Sequence, residues 1–350
     1  MVLNGAIDVM PNYLKLVPAW LLEVMRGTSR LPTRRHSTGP FLVIGHRGSP
    51  CFAIENTLAS FRRAVEQDGA NGLECDLCLT KDHQILLWHD WDPDEPTARL
   101  REAGLEPSGG ARPCPPESGA FRRPICELTL AEFSTHFCYS GKDGHQQYRD
   151  CVLPLDALLD WVGGRREVAV LFFDVKIPAA RLDLVPVMMQ GINELLERYR
   201  PAPTCILECA TVEVLTAMQA HSPQHHYALD VEPPPGLVLE PAAYSAVRPA
   251  LAYGNSYATA ARPRATTLAP WTTHRRVVQH DIRVLHRLQR HAPGRQLPAI
   301  INFTIDEEKE LRALIKMGVV GIQTNRPDRL RALADEMGVR LAGGVPQERG

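Results

Sequence analysis

The sequence predicts a parallel α/β fold, either a closed barrel or an open doubly wound sheet. Short apolar runs of strand length alternate with helical patterns about eight times between residues 41 and 330, and this alternation is typical of parallel sheets. A closed barrel of this kind typically needs about 250 residues, and the remaining length fits an insertion. No G-x-G-x-x-G loop follows the first predicted strand, which argues against a dinucleotide-binding sheet.

The strands are predicted from short apolar runs, and the helices from apolar side chains at helical spacing between capping and breaking residues. The predicted strands cover residues 41–44, 72–80, 84–88, 168–173, 205–208, 227–231, 247–253, 299–303 and 319–324. The predicted helices cover residues 57–69, 155–161, 184–199, 277–290 and 306–317, with a helical turn at 128–133. Asn56 or Thr57 is the expected cap of the first helix, which should end at Gly69, and the last helix should end at Gly318.

Three regions are expected along the chain. Residues 1–39 form an N-terminal extension, and its last part, residues 30–40, is basic and rich in breakers, as linkers are. Residues 40–335 form the α/β domain. An insertion at about 91–150, rich in Pro and Gly, interrupts the alternation, and a loop this long in a compact domain is usually functional or accessory. Residues 336–350 form a tail.

The extension carries an amphipathic segment, residues 14–25, that Pro18 interrupts. The preferred interpretation is a short helix docked on the domain, and contact with a membrane surface is the alternative. No apolar run reaches the roughly 18 residues of a spanning helix. The N-terminus also lacks the basic start, apolar core and cleavage site of a signal peptide. We therefore expect a cytoplasmic protein, which in the second interpretation is peripheral to a membrane.

Composition and charge narrow the class of partner. Apolar residues make up 44% of the chain and charged residues 23%, as in ordinary globular domains. Lys and Arg number 39 against 40 Asp and Glu, which gives a net charge of −1. Without an excess of positive charge, nucleic acid is not an expected partner, and a small molecule is.

The cysteines indicate a reducing compartment. Nine cysteines are scattered along the chain, and an odd, scattered set fits free thiols better than a disulfide framework. Cys75 and Cys78 have zinc-like spacing, but residues three apart on a strand face opposite sides, so we expect no zinc site there. In an oxidising compartment, four cysteines of the insertion could pair in three ways. These are Cys114, Cys126, Cys138 and Cys151.

Polar side chains cluster at the carboxyl ends of several predicted strands, and the predicted strand at 72–80 carries two of them. They are His46 and Arg47, Glu74 and Asp76, His89 and Asp90, and Asp174 and Lys176. Residues two apart on a strand share a face, so Glu74 and Asp76 should point one way and Cys75 the other. In a parallel barrel these ends meet at one mouth, where the active sites of that architecture lie. Burying so many charged groups together is costly without a function.

The residue types at these ends suit the cleavage of a phosphate ester. The candidate metal ligands are Glu74, Asp76 and Asp174. The candidate anion-binding groups are Arg47 and Lys176, and the candidate acid–base groups are His46 and His89. Carboxylate oxygens are hard ligands that favour Mg²⁺ or Ca²⁺. Arginine and lysine supply positive charge for phosphate, and two histidines can act as acid and base near neutral pH. Together these groups predict metal-assisted hydrolysis of a phosphodiester.

Four motifs occur in a fixed order between residues 46 and 90. They are His46-Arg47-Gly48, Glu55-Asn56-Thr57, Glu74-x-Asp76 and His89-Asp90. Their order and spacing resemble the opening signature of the glycerophosphodiester phosphodiesterases. Later segments are similar too, namely residues 128–133 (LTLAEF), 174–176 (DVK) and 318–328 (GVVGIQTNRPD). The resemblance spans residues 41–330 and implies a TIM-like (β/α)8 barrel with a small inserted subdomain after the second strand region.

The resemblance also implies an activity and residue roles. The implied reaction releases an alcohol from a glycerophosphodiester and leaves sn-glycerol 3-phosphate, with a divalent cation, Mg²⁺ or Ca²⁺, as cofactor. His46 and His89 match the acid–base histidines, Arg47 and Lys176 the phosphate-contacting cations, Glu74, Asp76 and Asp174 the metal ligands, and Glu55 a further acidic site residue. Where the family has Glu, this chain has Asp174, which is one methylene shorter.

Two alternatives remain open. A lysophospholipase D or sphingomyelinase-D-like enzyme would use similar catalytic groups on a lysophospholipid, and the amphipathic N-terminal segment favours it. The retained Glu55-Asn56-Thr57 motif favours the glycerophosphodiesterase instead. A barrel that has lost catalysis and acts as a binding protein is the alternative of another class, and the intact histidines and acids argue against it.

Overall fold

The computed structural model describes residues 40–105, 110–141, 146–149, 151–231, 241–261, 270–292, 294 and 296–343. The predicted extension, with its amphipathic segment, lies outside the described residues, and so does the end of the tail. In this described part of the chain, no helix is both long and apolar enough to cross a membrane.

The described residues contain thirteen strands, eight of which close a barrel. They are β1 (Leu42–His46), β2 (Gly72–Leu79), β3 (Ile85–Leu87), β4 (Arg112–Cys114), β5 (Cys138–Ser140), β6 (Gln147–Tyr148), β7 (Leu153–Pro154), β8 (Val170–Val175), β9 (Thr204–Cys209), β10 (His226–Val231), β11 (Tyr257–Ala261), β12 (Ala299–Phe303) and β13 (Gly321–Thr324). Parallel pairing runs in the order β1, β2, β8, β9, β10, β11, β12, β13. β13 pairs with β1 in turn, and this closure excludes the open sheet.

A helix follows each strand of this parallel ring. The helices are α1 (Leu58–Arg62), α2 (Pro96–Glu102), α3 (Leu130–His136), α4 (Leu155–Val162), α5 (Val185–Tyr199), α6 (Val212–His221), α7 (Val247–Ala252), α8 (Pro270–His291), α9 (Glu308–Met317) and α10 (Pro327–Glu336). α1 follows β1, α4 follows β2 and the insertion, and α5 to α10 follow β8 to β13 one by one. The TIM-like (β/α)8 barrel is therefore confirmed.

Two apolar clusters pack against the barrel strands, one on the inner face and one on the outer face. The cluster inside the barrel contains Leu42, Ile44, Val170, Phe172, Ile206, Ala228 and Ile301. A larger cluster, which includes Val43, Leu73 and Cys75, fills the space between strands and helices. Because side chains alternate along a strand, the inward series of β1 continues from its apolar residues to His46. The polar residues at the carboxyl ends thus lie directly above an apolar layer.

The first turn after β1 is tight. Gly48 has a φ of 89°, and a Cβ atom added to it would lie 2.4 Å from Ser60 Oγ. Thr57 caps α1 by accepting a hydrogen bond from the backbone N–H of Ser60 at 3.3 Å. The helical segment ends at Gly69, whose φ is 74°. Of the two predicted candidates, Thr57 is therefore the N-cap of α1. Glycine is required at position 48, where the loop passes close to α1.

The chain between β3 and β7 folds as a small layer beside the mouth. Within the described residues, β4, β5 and β6 form an antiparallel sheet, and α3 begins with a capping box between Thr129 and Glu132. Trp88 packs edge-on against Phe133 at 5.2 Å between ring centroids, which ties this layer to the barrel. The inserted subdomain is thus confirmed, while the limits 40–335, 336–350 and about 91–150 stay predictions.

One predicted strand is wrong. Residues 247–253 form α7 instead of a strand, and the barrel strand that precedes α8 is β11. Ala246, Val247 and Ala250 are buried at helical spacing, and this short apolar run has no clear period of two. β11 was overlooked because it consists mostly of alanine, which is uncommon in strands.

Candidate active site

All eight predicted site residues lie in the described part of the chain, and the barrel brings them to its carboxyl-end mouth. β1 and β2 pair with His46 opposite Glu74, while β3 runs antiparallel to the far half of β2, with Leu77 opposite Leu87. β3 therefore returns the chain toward the end of β1. This path carries His89, which follows β3, back beside β2, where the backbone N–H of Trp88 donates to the carbonyl oxygen of Asp76 at 3.1 Å.

The centre of the site is a cluster of three carboxylates. Glu74, Asp76 and Asp174 each offer an oxygen, and these oxygens lie within 4.8 Å of one another. Asp76 is opposite Asp174 in the register of β2 and β8. Cys75 faces the outer cluster, as the alternation along the strand predicts. Three hard oxygen donors this close together fit a divalent cation such as Mg²⁺ or Ca²⁺.

Two cationic side chains contact this cluster. Arg47 Nε lies 2.9 Å from Asp76 Oδ2, and its Nη1 donates to Glu55 Oε2 at 3.0 Å. The backbone N–H of Arg47 donates to Glu74 Oε2 at 2.9 Å. Lys176 Nζ lies 3.0 Å from Asp76 Oδ1 and also contacts Asp174. Of the two cations, Lys176 is the more exposed, at 20% against 2% for Arg47.

The charges of the cluster are unevenly compensated. Burial raises the pKa of Glu74, and the neighbouring Asp76 raises it further. Burial also acts on Asp76, but Arg47 and Lys176 outweigh it and hold the pKa of this carboxyl below its usual value. The pKa of Asp174 is raised by burial, which Lys176 only partly offsets. The positive charge near Glu74 and Asp174 therefore only partly compensates them, and a divalent cation between the three acids would add to it.

Each candidate acid–base histidine is held at Nδ1. His46 Nδ1 lies 2.8 Å from Asn325 Oδ1. The amide of Asn325 is oriented by Asp306, to which its Nδ2 donates at 2.8 Å, so Oδ1 is the atom that faces the imidazole. His89 Nδ1 lies 2.7 Å from Asp90 Oδ1. Both contacts require Nδ1 to carry the proton, and proton transfer then falls to Nε2.

Two further residues of the insertion reach this site, and the sequence analysis missed both. Arg101 of α2 donates from Nη1 to Asp90 Oδ1 at 3.3 Å and contacts Glu55 through Nη2. Tyr139 of β5 donates its hydroxyl to Glu55 Oε1 at 3.3 Å. Glu55, a predicted site acid, is thus held by two arginines and a tyrosine. The sequence carries no signal for these contacts, because they depend on how the insertion folds.

Two acids of the far side of the mouth were also missed. Glu208 is opposite Asp174 in the register of β8 and β9, and it accepts a hydrogen bond from Gln323 Nε2 at 3.2 Å. Burial first, and then the charge of Asp174, raises the pKa of Asp230 to about 8. Both acids stand at the carboxyl ends of predicted strands. The rule that found Glu74 would therefore have found them.

The nine cysteines, all in the described part of the chain, form no disulfide. This includes the four cysteines of the insertion. Cys138 is opposite Cys114 in the register of β4 and β5.

Comparison with known proteins matches most of this chain to one family. The profile of the glycerophosphoryl diester phosphodiesterase family matches residues 46–329. A 64-residue segment is 45% identical to glycerophosphodiester phosphodiesterase domain-containing protein 4 of Macaca fascicularis, and it covers 18% of this chain and 10% of that protein. A 56-residue segment is 48% identical to a glycerophosphodiester phosphodiesterase of Caldanaerobacter subterraneus, and it covers 16% and 23%. These matches thus span a minor part of either relative.

Solved structures share the fold over nearly their whole length. A putative glycerophosphoryl diester phosphodiesterase from Silicibacter pomeroyi superposes with a TM-score of 0.63 at 19% identity, over 91% of this chain and 99% of that one. A phosphodiesterase from Oleispira antarctica, solved with the product sn-glycerol-3-phosphate, superposes with a TM-score of 0.57 at 17% identity, over 85% and 97%. At these identities the superpositions show a shared barrel.

Proposed function

Because the chain belongs to the glycerophosphoryl diester phosphodiesterase family, we propose that it hydrolyses glycerophosphodiesters to an alcohol and sn-glycerol 3-phosphate. The observation that carries the proposal is the cluster of Glu74, Asp76 and Asp174, whose oxygens lie within 4.8 Å of one another at the barrel mouth. Acids packed this closely beside a lysine and an arginine suit a charged, phosphorus-containing substrate. The phosphodiesterase from Oleispira antarctica is solved with the product sn-glycerol-3-phosphate, a molecule of this chemistry.

Glu74, Asp76 and Asp174 would hold the divalent cation, either Mg²⁺ or Ca²⁺. Such a cation, when bound, stabilises negative charge on the phosphoryl oxygens. Lys176, whose side chain is 20% exposed, would meet the phosphate directly. Arg47 is almost fully buried between Asp76 and Glu55, so it contributes positive charge from behind these acids.

His46 and His89 act as the acid–base pair. A hydroxyl of the glycerol moiety attacks phosphorus, and one histidine takes its proton through Nε2. The other histidine gives a proton to the departing alkoxide, so that an alcohol and a cyclic phosphate result. Water then opens the ring, with the proton transfers reversed, to give sn-glycerol 3-phosphate. Glu55 keeps Arg47 in place during these steps.

A product assay tests the proposal. Purified full-length protein would be incubated with glycerophosphocholine or lysophosphatidylcholine, in EDTA, Mg²⁺ or Ca²⁺, and both sn-glycerol 3-phosphate and choline would be measured. Metal-dependent release of sn-glycerol 3-phosphate from glycerophosphocholine is the expected result. A matched control is the exposed His291→Ala variant, which should keep full activity, beside His46→Ala, which should not.

The other outcomes separate the alternatives. Choline release from lysophosphatidylcholine alone would replace the proposal with a lysophospholipase D. No turnover of either substrate by folded protein that binds metal would point to a binding protein. The extents of the domain, residues 40–335 with an insertion at about 91–150, are proposed with the function, and truncation variants in the same assay test them. For residues 14–25, a helix docked on the domain stays the preferred interpretation and contact with a membrane surface stays the alternative.

A further inference from the structure

The insertion places a buried arginine among the acids of the mouth. Arg101 lies near the end of α2 and its side chain is only 2% exposed, whereas Arg99 of the same helix is 60% exposed. A buried guanidinium is costly unless it is paired, and Arg101 is paired twice. Its Nη1 donates to Asp90 Oδ1 at 3.3 Å, and its Nη2 contacts Glu55 Oε1.

We propose that Arg101 is a positioning residue for the reaction: by joining Glu55 to Asp90 it fixes the carboxylate that orients His89. The proposal rests on the proposed function, since it assigns His89 to proton transfer. It gives the insertion a task within the active site. It also concerns a residue that lies outside all four motifs that carry the family resemblance.

The contact geometry supports this role. The same oxygen, Asp90 Oδ1, accepts from Arg101 Nη1 and lies 2.7 Å from His89 Nδ1. The planar guanidinium holds its donors in a fixed fork, so the position of one carboxylate restrains the other. Glu55 is itself anchored by Arg47 at 3.0 Å and by the hydroxyl of Tyr139 at 3.3 Å. Arg101 therefore transmits a rigid arrangement to the histidine.

Holding His89 at Nδ1 has a chemical consequence. A neutral imidazole that donates from Nδ1–H to a carboxylate has Nε2 as its basic atom. The carboxylate also stabilises the imidazolium that forms when Nε2 takes a proton, as the aspartate does in other histidine-based sites. If Asp90 moved or became neutral, the ring could rotate or adopt the other tautomer, and His89 would exchange protons less efficiently.

The charges around Asp90 make this effect depend on pH. Burial raises the pKa of Asp90 to about 6, and Arg101 is the strongest group that lowers it. The groups that act on Asp90 are Arg101, Glu55, Arg47, Asp76 and the adjoining His89. Without Arg101, the pKa of Asp90 would rise further, so a larger share of Asp90 would be neutral at pH 7. Raising the pH should then restore the carboxylate.

The experiment compares three variants of the full chain. Arg101→Leu removes both contacts. Arg101→Lys keeps the charge, but a single ammonium cannot span two carboxylates in the same way. Arg99→Leu removes an exposed arginine from the same helix and is the matched control. Each protein would be assayed for kcat and KM on glycerophosphocholine between pH 5 and 9. The ring ¹⁵N shifts of His89, assigned with a His89→Gln variant, report its tautomer without substrate.

For Arg101→Leu we expect kcat to fall about 10- to 100-fold at pH 7 with KM nearly unchanged. The acid limb of the pH–kcat profile of this variant should move to higher pH, and His89 should show a mixture of tautomers. Arg101→Lys should recover part of kcat, and Arg99→Leu should match the wild type. If Arg101→Leu does not fold, Arg101→Lys still tests the proposal. Asp90→Asn, which removes the carboxylate that holds His89, serves as the reference. Both kcat and the His89 tautomer mixture of Arg101→Lys should lie between those of the wild type and those of Asp90→Asn.

Two results would overturn the proposal. One is a folded Arg101 variant whose pH profile and His89 tautomer match the wild type. The other is a loss of kcat that is uniform across pH with an unchanged tautomer, since a purely structural role predicts that. Inactivity of the wild type on glycerophosphocholine would count against the proposed function instead. The tautomer comparison would then still decide whether Arg101 positions His89.

Discussion

Asn56 and Asp76 bind each other through two hydrogen bonds. Asn56 Nδ2 donates to Asp76 Oδ2 at 2.8 Å, and the backbone N–H of Asp76 donates to Asn56 Oδ1 at 3.2 Å. Asn56 has a φ of 54°, in the left-handed region that asparagine tolerates better than most residues. The loop after β1 thus holds one carboxylate of the candidate metal site in place from a neighbouring strand.

Replacing this asparagine should destabilise the protein. Asn56→Ala removes two buried hydrogen bonds and places alanine at a positive φ, so we expect a loss of about 2–4 kcal/mol in the free energy of unfolding. Urea denaturation in EDTA measures it. Asn56→Gly is the matched variant, because it loses the same bonds without the backbone strain and should be less destabilised. Equal stability of Asn56→Ala and wild type would mean that the pair contributes nothing.

The two histidines should be needed for turnover but not for folding. His46→Ala and His89→Ala should each lower kcat by about 10²–10⁴-fold, the usual contribution of general acid–base catalysis. Circular dichroism and thermal melting would confirm that both variants fold. His291→Ala, at the exposed end of α8, is the control and should leave kcat unchanged. Near-normal turnover in a folded His46 or His89 variant would remove that residue from the acid–base pair.

Much of the site could be predicted because strand geometry is periodic. Glu74 and Asp76 share a face of β2, and Asp174 occupies the matching position on β8, so alternation and the strand ends were enough to bring them together. Glu208 and Asp230 obey the same rule, because they too lie at the carboxyl ends of predicted strands.

Other features could not be predicted in this way. Arg101 contacts Glu55 across 46 residues of sequence, through an insertion whose path has no periodic pattern. The error at residues 247–253 has a different cause, since a short apolar run fits a buried strand and a buried helical turn equally well. In physical terms, periodicity predicts which face a residue occupies, whereas contacts made by irregular segments depend on the whole tertiary structure.

Asp174, which is one methylene shorter than the Glu of the family, should still act as the third ligand of the candidate cation site. Asp174→Ala should raise the Mg²⁺ or Ca²⁺ concentration needed for half-maximal activity by about 10- to 100-fold, because it removes one of three hard ligands. Calorimetric titration of the metal into the protein without substrate checks the same loss independently of turnover. Asp183→Ala changes an aspartate that is 62% exposed and should have no effect. An unchanged metal response in Asp174→Ala would place the third ligand elsewhere.

Asp230, a half-buried acid on the far side of the mouth, should make the stability of the protein depend on pH. The pKa of Asp230 is about 8 in the folded protein, and an unfolded aspartate titrates near 3.9. Between these values the folded state holds a proton that the unfolded state has released. Asp230 therefore costs progressively more stability as the pH rises from about 4 to about 8.

Asp230→Asn isolates this effect, because the amide has nearly the same shape and does not titrate. Each unit of pKa difference is worth about 1.4 kcal/mol, so over the three units from pH 5 to pH 8 the variant should gain up to about 4 kcal/mol relative to wild type. Urea denaturation of both proteins at the two pH values, in EDTA, measures this difference. At pH 5 the Asp230 carboxyl is protonated in the folded wild type. The advantage of the variant in free energy of unfolding should therefore be smaller at pH 5 than at pH 8. A difference that does not change with pH would mean that Asp230 titrates normally and is better solvated than its burial indicates.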